Sequence, residues 1–349
     1  MITQSIKQSI TFDLPQSLNA TIPPERRGVR RDFVRMMVLD RNSGNTSHTQ
    51  FYKLDQYLRS GDLLVLNVSR TVPAVLKAKW GRNGLQLKSD IEVRLAHCIN
   101  DSNWEALVVS EEIAYGDILH FSPTLQAVVS ESKHKPFVNL LFSAKGSALY
   151  DEIYGLGEPV RYEYIEYPWE LDYYQTVYAS VPGSVEMPSA GRAFSWELLF
   201  RLQRKGIRIA YIQLHTGLSY LLDDSIDLGP SDNYESYEVP YETAAAIKQT
   251  KESGGRVIAV GTTVVRSLET AINEEGKVRA QSGWTNLYIH ANFPLKAVDG
   301  LITGFHEPEA FHLDLLSAFI EQESLYSAYQ EAIQQRYLWH EFGDMNLIL

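Results

Sequence analysis

The segment Val257-Ile258-Ala259-Val260-Gly261-Thr262-Thr263 puts a glycine and two threonines between an apolar strand pattern and a helix pattern that begins near Val264. Backbone N–H groups at a helix start, flanked by threonine hydroxyls, suit a carboxylate, a phosphate or a ribose hydroxyl. A glycine at Gly261 lets a ligand approach the backbone closely. The plainer reading is that Thr262 or Thr263 only caps the helix. Leu214-His215-Thr216-Gly217 stands at a second strand end, and Phe305-His306-Glu307-Pro308 follows a third. A histidine in such a place can take or give a proton near neutral pH, and it can equally be a satisfied structural side chain. Open α/β sheets carry ligands at the carboxyl ends of their strands, so both histidines are candidates to face one cleft.

Two further segments bear polar or small groups. Asn67-Val68-Ser69-Arg70 leads out of an apolar strand, and Arg70 there can clamp a carboxylate or phosphate with two hydrogen bonds or make a plain surface ion pair. Glu186-Met187-Pro188-Ser189-Ala190-Gly191 precedes a helix whose expected N-cap is Ser195; such a loop can wrap a ligand or simply start the helix. Other chemistries find no support. There is no HExxH, no Walker loop and no Ser-His-Asp signature. His306 and His312 are six apart, which fits no common helical metal pair, and Gly155-Leu156-Gly157 is only a fragment of a dinucleotide fingerprint. No metal site is expected.

The elements that must position these groups fall into two textures. Phe33–Asp40 and Leu63–Val68 are buried-strand patterns, with a short helix expected over Phe51–Leu58. From Thr71 to Tyr150 short β-type runs recur at Val72–Ala78, Ile91–Cys98, Trp104–Val109, Ile118–Phe121, Gln126–Val129 and Phe137–Phe142. Close-spaced strands without helices predict a small barrel or sandwich. After Gly155 helix and strand alternate: helices over Trp196–Lys205, Tyr241–Glu252 and Val264–Asn273, strands over Ile207–Leu214, Val257–Val260, Leu287–Ala291 and Ala297–Thr303, and two helices between Glu309 and Arg336. The expected fold is α/β: a large, partly barrel-like domain with a mostly parallel sheet, made of 1–70 and 151–349, carrying an inserted β-barrel domain at 71–150.

Composition sets the outer bounds. The 349 residues are 44% hydrophobic and 21% charged, enough for full cores. Cys98 stands alone, so no disulfide framework exists and a reducing, cytoplasmic setting is expected. Neither a leader pattern nor a membrane-length apolar run is present, and a monomer without a bound cofactor is the expected form. A balance of 32 Lys+Arg against 43 Asp+Glu, net −11, argues against indiscriminate binding to a polyanion. An RNA partner would need a local basic patch; Arg26, Arg27, Arg30, Arg31 and Arg35 are the candidates, unless they form only a solvated charged stretch.

In this order the pieces resemble the S-adenosylmethionine:tRNA ribosyltransferase-isomerase family along nearly the whole chain. The markers are Phe12-Asp13-Leu14-Pro15, Arg31 and Arg35 before Val38-Leu39-Asp40-Arg41, Gly61-Asp62-Leu63-Leu64-Val65-Leu66-Asn67, Tyr174-Gln175-Thr176-Val177-Tyr178-Ala179 and Pro188-Ser189-Ala190-Gly191. They continue through Leu214-His215-Thr216-Gly217, Gly261-Thr262-Thr263 with Arg266 and Glu269, Gly283-Trp284-Thr285, Phe305-His306, Leu316-Ser317-Ala318-Phe319 and the tail from Gly343 to Leu349. The resemblance implies a larger α/β domain with a small inserted barrel. It also implies transfer and isomerisation of the ribosyl group of S-adenosylmethionine onto 7-aminomethyl-7-deazaguanine in tRNA, giving epoxyqueuosine with loss of adenine and methionine. By that resemblance His215, His306 and Arg70 are the catalytic candidates. Asn67, Ser69, Ser189, Ala190, Gly191, Thr216, Gly217, Gly261, Thr262, Thr263, Arg266, Trp284 and Phe305 are the substrate-binding ones. The expected seat is a cleft where the strand-terminal loops grip a sulfonium nucleoside.

Departures from the family's pattern gather where chemistry is expected. Its Asn-Asp-Thr-Arg reads Asn67-Val68-Ser69-Arg70 here, without the carboxylate. Its Pro-Thr-Ala-Gly-Leu-His-Phe-Thr reads Pro188-Ser189-Ala190-Gly191-Arg192-Ala193-Phe194-Ser195, without the histidine. Pro230 and Asn233 replace a histidine pair, and Glu307-Pro308-Glu309-Ala310-Phe311 replaces Leu-Pro-Lys-Ser-Thr. Framework kept while polar groups change is the pattern of a paralogue. The sequence therefore carries three functions forward: the family's tRNA reaction, the same nucleoside donor with another nucleoside or RNA acceptor, and a catalytically silent nucleoside- or RNA-binding protein.

Overall fold

Leu63–Asn67 and Val257–Val260 are apolar without alternation, and every residue of both strands is buried, as strands covered on both faces must be. The computed structural model describes residues 10–110, 112–131, 134–219 and 234–349. In chain order the strands are β1 Arg35–Leu39, β2 Thr46–Gln50, β3 Leu63–Asn67, β4 Ser69–Thr71, β5 Val75–Arg82, β6 Leu85–Cys98, β7 Asn103–Val108, β8 Ile118–His120, β9 Gln126–Glu131, β10 Val138–Phe142, β11 Val181–Ser184, β12 Arg208–Leu214, β13 Glu235–Val239, β14 Val257–Val260, β15 Gln281–Thr285, β16 Gly300–Thr303 and β17 Met345–Ile348. The helices are α1 Gly146–Leu156, α2 Trp196–Arg204, α3 Tyr241–Glu252, α4 Thr262–Thr270, α5 Phe311–Leu316 and α6 Gln322–Gln334.

The chain divides into two compact units. The first holds the chain up to Val68, Ser189–Gln213 and Tyr237–Leu349. Its sheet has nine strands in the order β15-β13-β12-β3-β14-β16-β17-β1-β2. At its heart β12, β3, β14 and β16 run parallel, with Ala210, Val65, Ala259 and Leu301 in one row. Their carboxyl ends therefore lie along one edge. Farther out the sheet is mixed: β17 is antiparallel to β16 and parallel to β1, and β2 is antiparallel to β1.

Buried carboxylates tie this sheet to its turns. Asp62, fully buried, accepts from the Arg256 side chain at 2.6 Å and from the backbone N–H groups of Arg59 and Arg256. Glu269 accepts from the N–H groups of Lys296 and Ala297, and Asp344 from those of Arg35 and Leu338. A buried polar group is tolerated only when hydrogen-bonded, which accounts for acids at these marker positions.

The second unit, Ser69–Pro188 and Leu214–Ser236, carries a closed barrel in the order β10-β7-β6-β5-β8-β9. Leu76, Trp80, Val93, Trp104, Leu119 and Leu140 fill it, and Leu149 and Ile153 of α1 join the same core. The Trp80 indole donates to Asp117 at 2.8 Å, and Arg82 binds the same carboxylate through two nitrogens. All six barrel strands fall inside 71–150, while the compact unit also takes in 151–188 and 214–236. A short parallel pair, β4 with β11, lies in this unit too.

The structure differs from the sequence reading in detail. The short helix near Phe51 is a 3-10 turn over Phe51–Gln56. Leu287–Ala291 is not a strand: Ile289 is buried from an extended loop, and the strand is β15 just before it. Pro230 and Asn233 lie outside the described residues.

Candidate active site

In the first unit the site candidates gather at the carboxyl edge of the parallel strands. Asn67, buried, ends β3, and Gly261 follows β14, its N–H donating to the Ile302 carbonyl at 2.8 Å. Gly261 has φ 93° and ψ 152°, a backbone conformation essentially restricted to glycine. Neither threonine caps α4: its N-cap is Gly261, without a side-chain cap. The Ser189–Gly191 turn packs onto this loop, and a Cβ on Gly261 would meet the Ala190 Cβ and Thr263 Oγ1 at 3.4 Å each. The structure thus joins Gly261, Thr263 and Ala190 in one place.

His306 follows β16, and its Nε2 lies 2.9 Å from Thr303 Oγ1. Its carbonyl accepts from the Trp339 indole at 3.1 Å, and its ring stacks on His312 with centroids 4.5 Å apart. Burial first, then the neighbouring His312 and His340 rings, pushes its pKa well below the ordinary value. A side chain so fastened is neutral at pH 7. Although His306 and His312 meet, no group of three or more His, Cys, Asp or Glu among the described residues is placed to hold a metal ion.

Of three further expected binding residues, only Phe305 is wholly enclosed by the protein's own side chains. Phe305 is 2% exposed and packs against Tyr329, Tyr337 and Trp339, so it is core and offers no face to a ligand. Arg266 holds the carbonyls of Leu287 and Thr285 at 3.2 and 3.4 Å. Trp284 is exposed on β15. The basic run is mostly engaged within the unit: Arg27 on the Phe342 carbonyl, Arg30 on Asp32, Arg31 on Glu25 and Arg35 on the Gln335 carbonyl.

In the second unit Ser69, His215 and Thr216 are linked through Ser184. Ser69 Oγ is 2.6 Å from His215 Nδ1 and donates to Ser184 Oγ at 2.8 Å. Ser184 Oγ is 2.9 Å from Thr216 Oγ1 and accepts from the Thr216 N–H at 3.0 Å. The Thr216 hydroxyl donates to the Glu186 carbonyl. Burial lowers the His215 pKa to about 4, so the ring is neutral at pH 7. Arg70 is exposed, its guanidinium 5.6 Å over the Tyr154 ring. Gly217 is small of necessity, since a Cβ would fall 2.1 Å from the His97 ring.

Ser184 and Gly183 were not anticipated. Register between β4 and β11 shifts between Pro182 and Ser184. That bulge sits at Gly183, φ 149°, where a Cβ would be 2.7 Å from the His215 ring. The signal in the sequence was the glycine inside a strand-like Val181-Pro182-Gly183-Ser184.

The fold that emerges is a mixed α/β sheet body accompanied by a closed six-stranded barrel. It is similar to the crystal structure of an S-adenosylmethionine tRNA ribosyltransferase from Thermotoga maritima, with TM-score 0.56 and 32% sequence identity over 97% of this chain and 99% of that one. Residues 7–348 match the family described as queuosine biosynthesis protein, and the chain belongs to that family.

Proposed function

We propose that this protein transfers and isomerises the ribosyl group of S-adenosylmethionine onto 7-aminomethyl-7-deazaguanine in tRNA, giving epoxyqueuosine-tRNA and releasing adenine and methionine, in the cytoplasm. The observation that carries the reading is the 2.6 Å contact between His215 Nδ1 and Ser69 Oγ. It holds a neutral imidazole in a fixed orientation, as proton abstraction requires. The sulfonium of the donor acidifies the adjacent ribose carbon. The base takes that proton and the electron pair stays on carbon as an ylide; overall the aminomethyl nitrogen exchanges one hydrogen for the ribosyl group, the ribosyl bonds to adenine and to sulfur break, methionine leaves with the sulfur's electron pair, and of the two protons lost one leaves on adenine and one goes to solvent. Within the second unit, which holds His215, Arg70 supplies a cation for the methionine carboxylate; within the first unit, the Gly261-Thr262-Thr263 helix start supplies N–H groups and hydroxyls suited to a nucleoside. The Thermotoga maritima protein, by its name an S-adenosylmethionine tRNA ribosyltransferase, supports the same substrates.

A second reading keeps the donor and changes the acceptor. Its support is Ala193, buried where the family carries a histidine, beside Arg192, which is taken up by an ion pair with Glu25 at 2.8 Å. One assay separates the two. The purified protein is incubated with S-adenosylmethionine and tRNA bearing the aminomethyl-deazaguanine base, while adenine release and nucleoside mass are followed. Adenine formed with that tRNA, and a nucleoside heavier by the ribosyl group, supports the first reading. Adenine formed only with another acceptor sinks it in favour of the second, and no donor binding by calorimetry sinks both.

A further inference from the structure

The hydroxyls around His215 form a chain whose proton directions are fixed from its far end. The Glu186 carbonyl can only accept, so Thr216 spends its one hydroxyl proton there. Thr216 Oγ1 must then accept in its 2.9 Å contact with Ser184, so Ser184 donates. Ser184 Oγ in turn accepts from Ser69, which uses the Ser69 proton at 2.8 Å. Only an oxygen lone pair is left on Ser69 for the 2.6 Å contact with His215, so the proton in that contact belongs to Nδ1. Each hydroxyl has one proton and one direction. The Thr216 N–H, donating to Ser184 Oγ at 3.0 Å, fills the remaining acceptor position of that oxygen.

We infer that Ser69, Ser184 and Thr216 are positioning residues that hold His215 as the Nδ1–H tautomer, so that its basic atom is Nε2. This deepens the proposed function and rests on it for the role of the proton acceptor, while the tautomer itself stands on the hydrogen-bond order alone. Packing supports the same arrangement. Ser69 and Ser184 are fully buried, and the bulge at Gly183 leaves room for the imidazole against bare backbone. A buried chain of this kind, satisfied at every link, stabilises one tautomer over the other because reversing it would leave Thr216 facing a carbonyl without a proton to give. The position also bears on the departures from the family pattern: Ser69 keeps a hydroxyl where the family's usual residue is threonine.

The test has two arms on the full-length protein. In 15N-labelled protein, with His215 assigned by its disappearance in His215→Gln, long-range 1H–15N correlation is expected to show Nδ1 protonated and Nε2 unprotonated at neutral pH. Finding Nε2 protonated would overturn the inference whether or not the protein turns over. In the kinetic arm, Ser69→Ala is expected to lower kcat for adenine release about 100-fold, with KM for S-adenosylmethionine changed by less than about 3-fold, while Ser69→Thr restores most of the rate. An unchanged kcat in a folded Ser69→Ala overturns the positioning role. Should that variant fail to fold, Thr216→Val, expected to give a mixture of tautomers, carries the same test, and a single unchanged tautomer there overturns the relay. The expected tautomer in a wild-type protein that releases no adenine supports the relay and removes only the functional reading.

Discussion

Arg192 Nη2 lies 2.8 Å from Glu25 Oε2, and the same guanidinium sits 5.0 Å over the Phe342 ring. Arg192 is 2% exposed, so its charge depends on that partner. Burial alone would raise the Glu25 carboxyl, but the Arg192 charge and hydrogen bond outweigh it and the carboxyl ends below its ordinary range. Glu25 also accepts from Arg31 at 3.1 Å. Arg192→Ala is expected to cost about 2–3 kcal/mol, since it removes a charged hydrogen bond and leaves a cavity. Arg192→Leu, the family's usual residue, should cost about 1 kcal/mol or less, because an apolar side chain fills the space and Glu25 keeps Arg31. Urea denaturation of the two variants checks the order; equal losses would show that the ion pair, not the filled volume, sets the stability.

Acid stability follows from histidines that fold neutral. Burial puts His215 and His340 at about 4, and His306 well below its ordinary value of 6.5. Between 6.5 and about 4 the unfolded chain binds protons that the folded chain refuses, so stability falls as pH drops through that window and is constant above it. Each such histidine contributes a slope of about 1.4 kcal/mol per pH unit. Unfolding free energies measured across the window should decline steeply, and His340→Gln should flatten the decline by one histidine's share. A level profile would contradict the burial argument.

The parts of the site that could be read from sequence are those in which a conformational demand coincides with a residue type. Gly261 was legible as a glycine between a strand and a helix, and its φ of 93° adds a conformational reason for the residue there. His215 was legible by its place after an apolar strand. Ser184 was not, because nothing local marks a serine after Pro182-Gly183 as a partner, and only the pairing of β11 with β4, with its register shift, puts its hydroxyl beside Ser69. Phe305 misled: a marker next to a candidate histidine proved to be core, which local pattern cannot distinguish from a ligand wall. Among the elements, β2, Thr-Ser-His-Thr-Gln, was missed because an edge strand with little buried surface has no apolar alternation.

The pH dependence of turnover carries a separate prediction. A proton acceptor with a pKa of about 4 stays unprotonated as the medium is acidified past the ordinary histidine value. The acid limb of kcat/KM for adenine release should therefore fall near 4, not near 6.5. His215→Gln should lower kcat by at least about 100-fold and abolish that limb. If the wild-type limb sits at the ordinary histidine value, a different and more exposed group takes the proton.

The glycine at the start of α4 gives the last test. Gly261 combines φ 93° with ψ 152°, and a Cβ there would touch Ala190 and Thr263 at 3.4 Å. Gly261→Ala is expected to cost about 1–3 kcal/mol, the strain of a side chain in a region reserved for glycine. Because relief of that strain rotates the first turn of α4, S-adenosylmethionine affinity measured by calorimetry should also drop, by about 10-fold or more. Thr263→Val separates the two effects: its hydroxyl does not cap the helix, so stability should stay within about 0.5 kcal/mol while affinity still falls. Unchanged binding in both variants would move the nucleoside seat away from this loop.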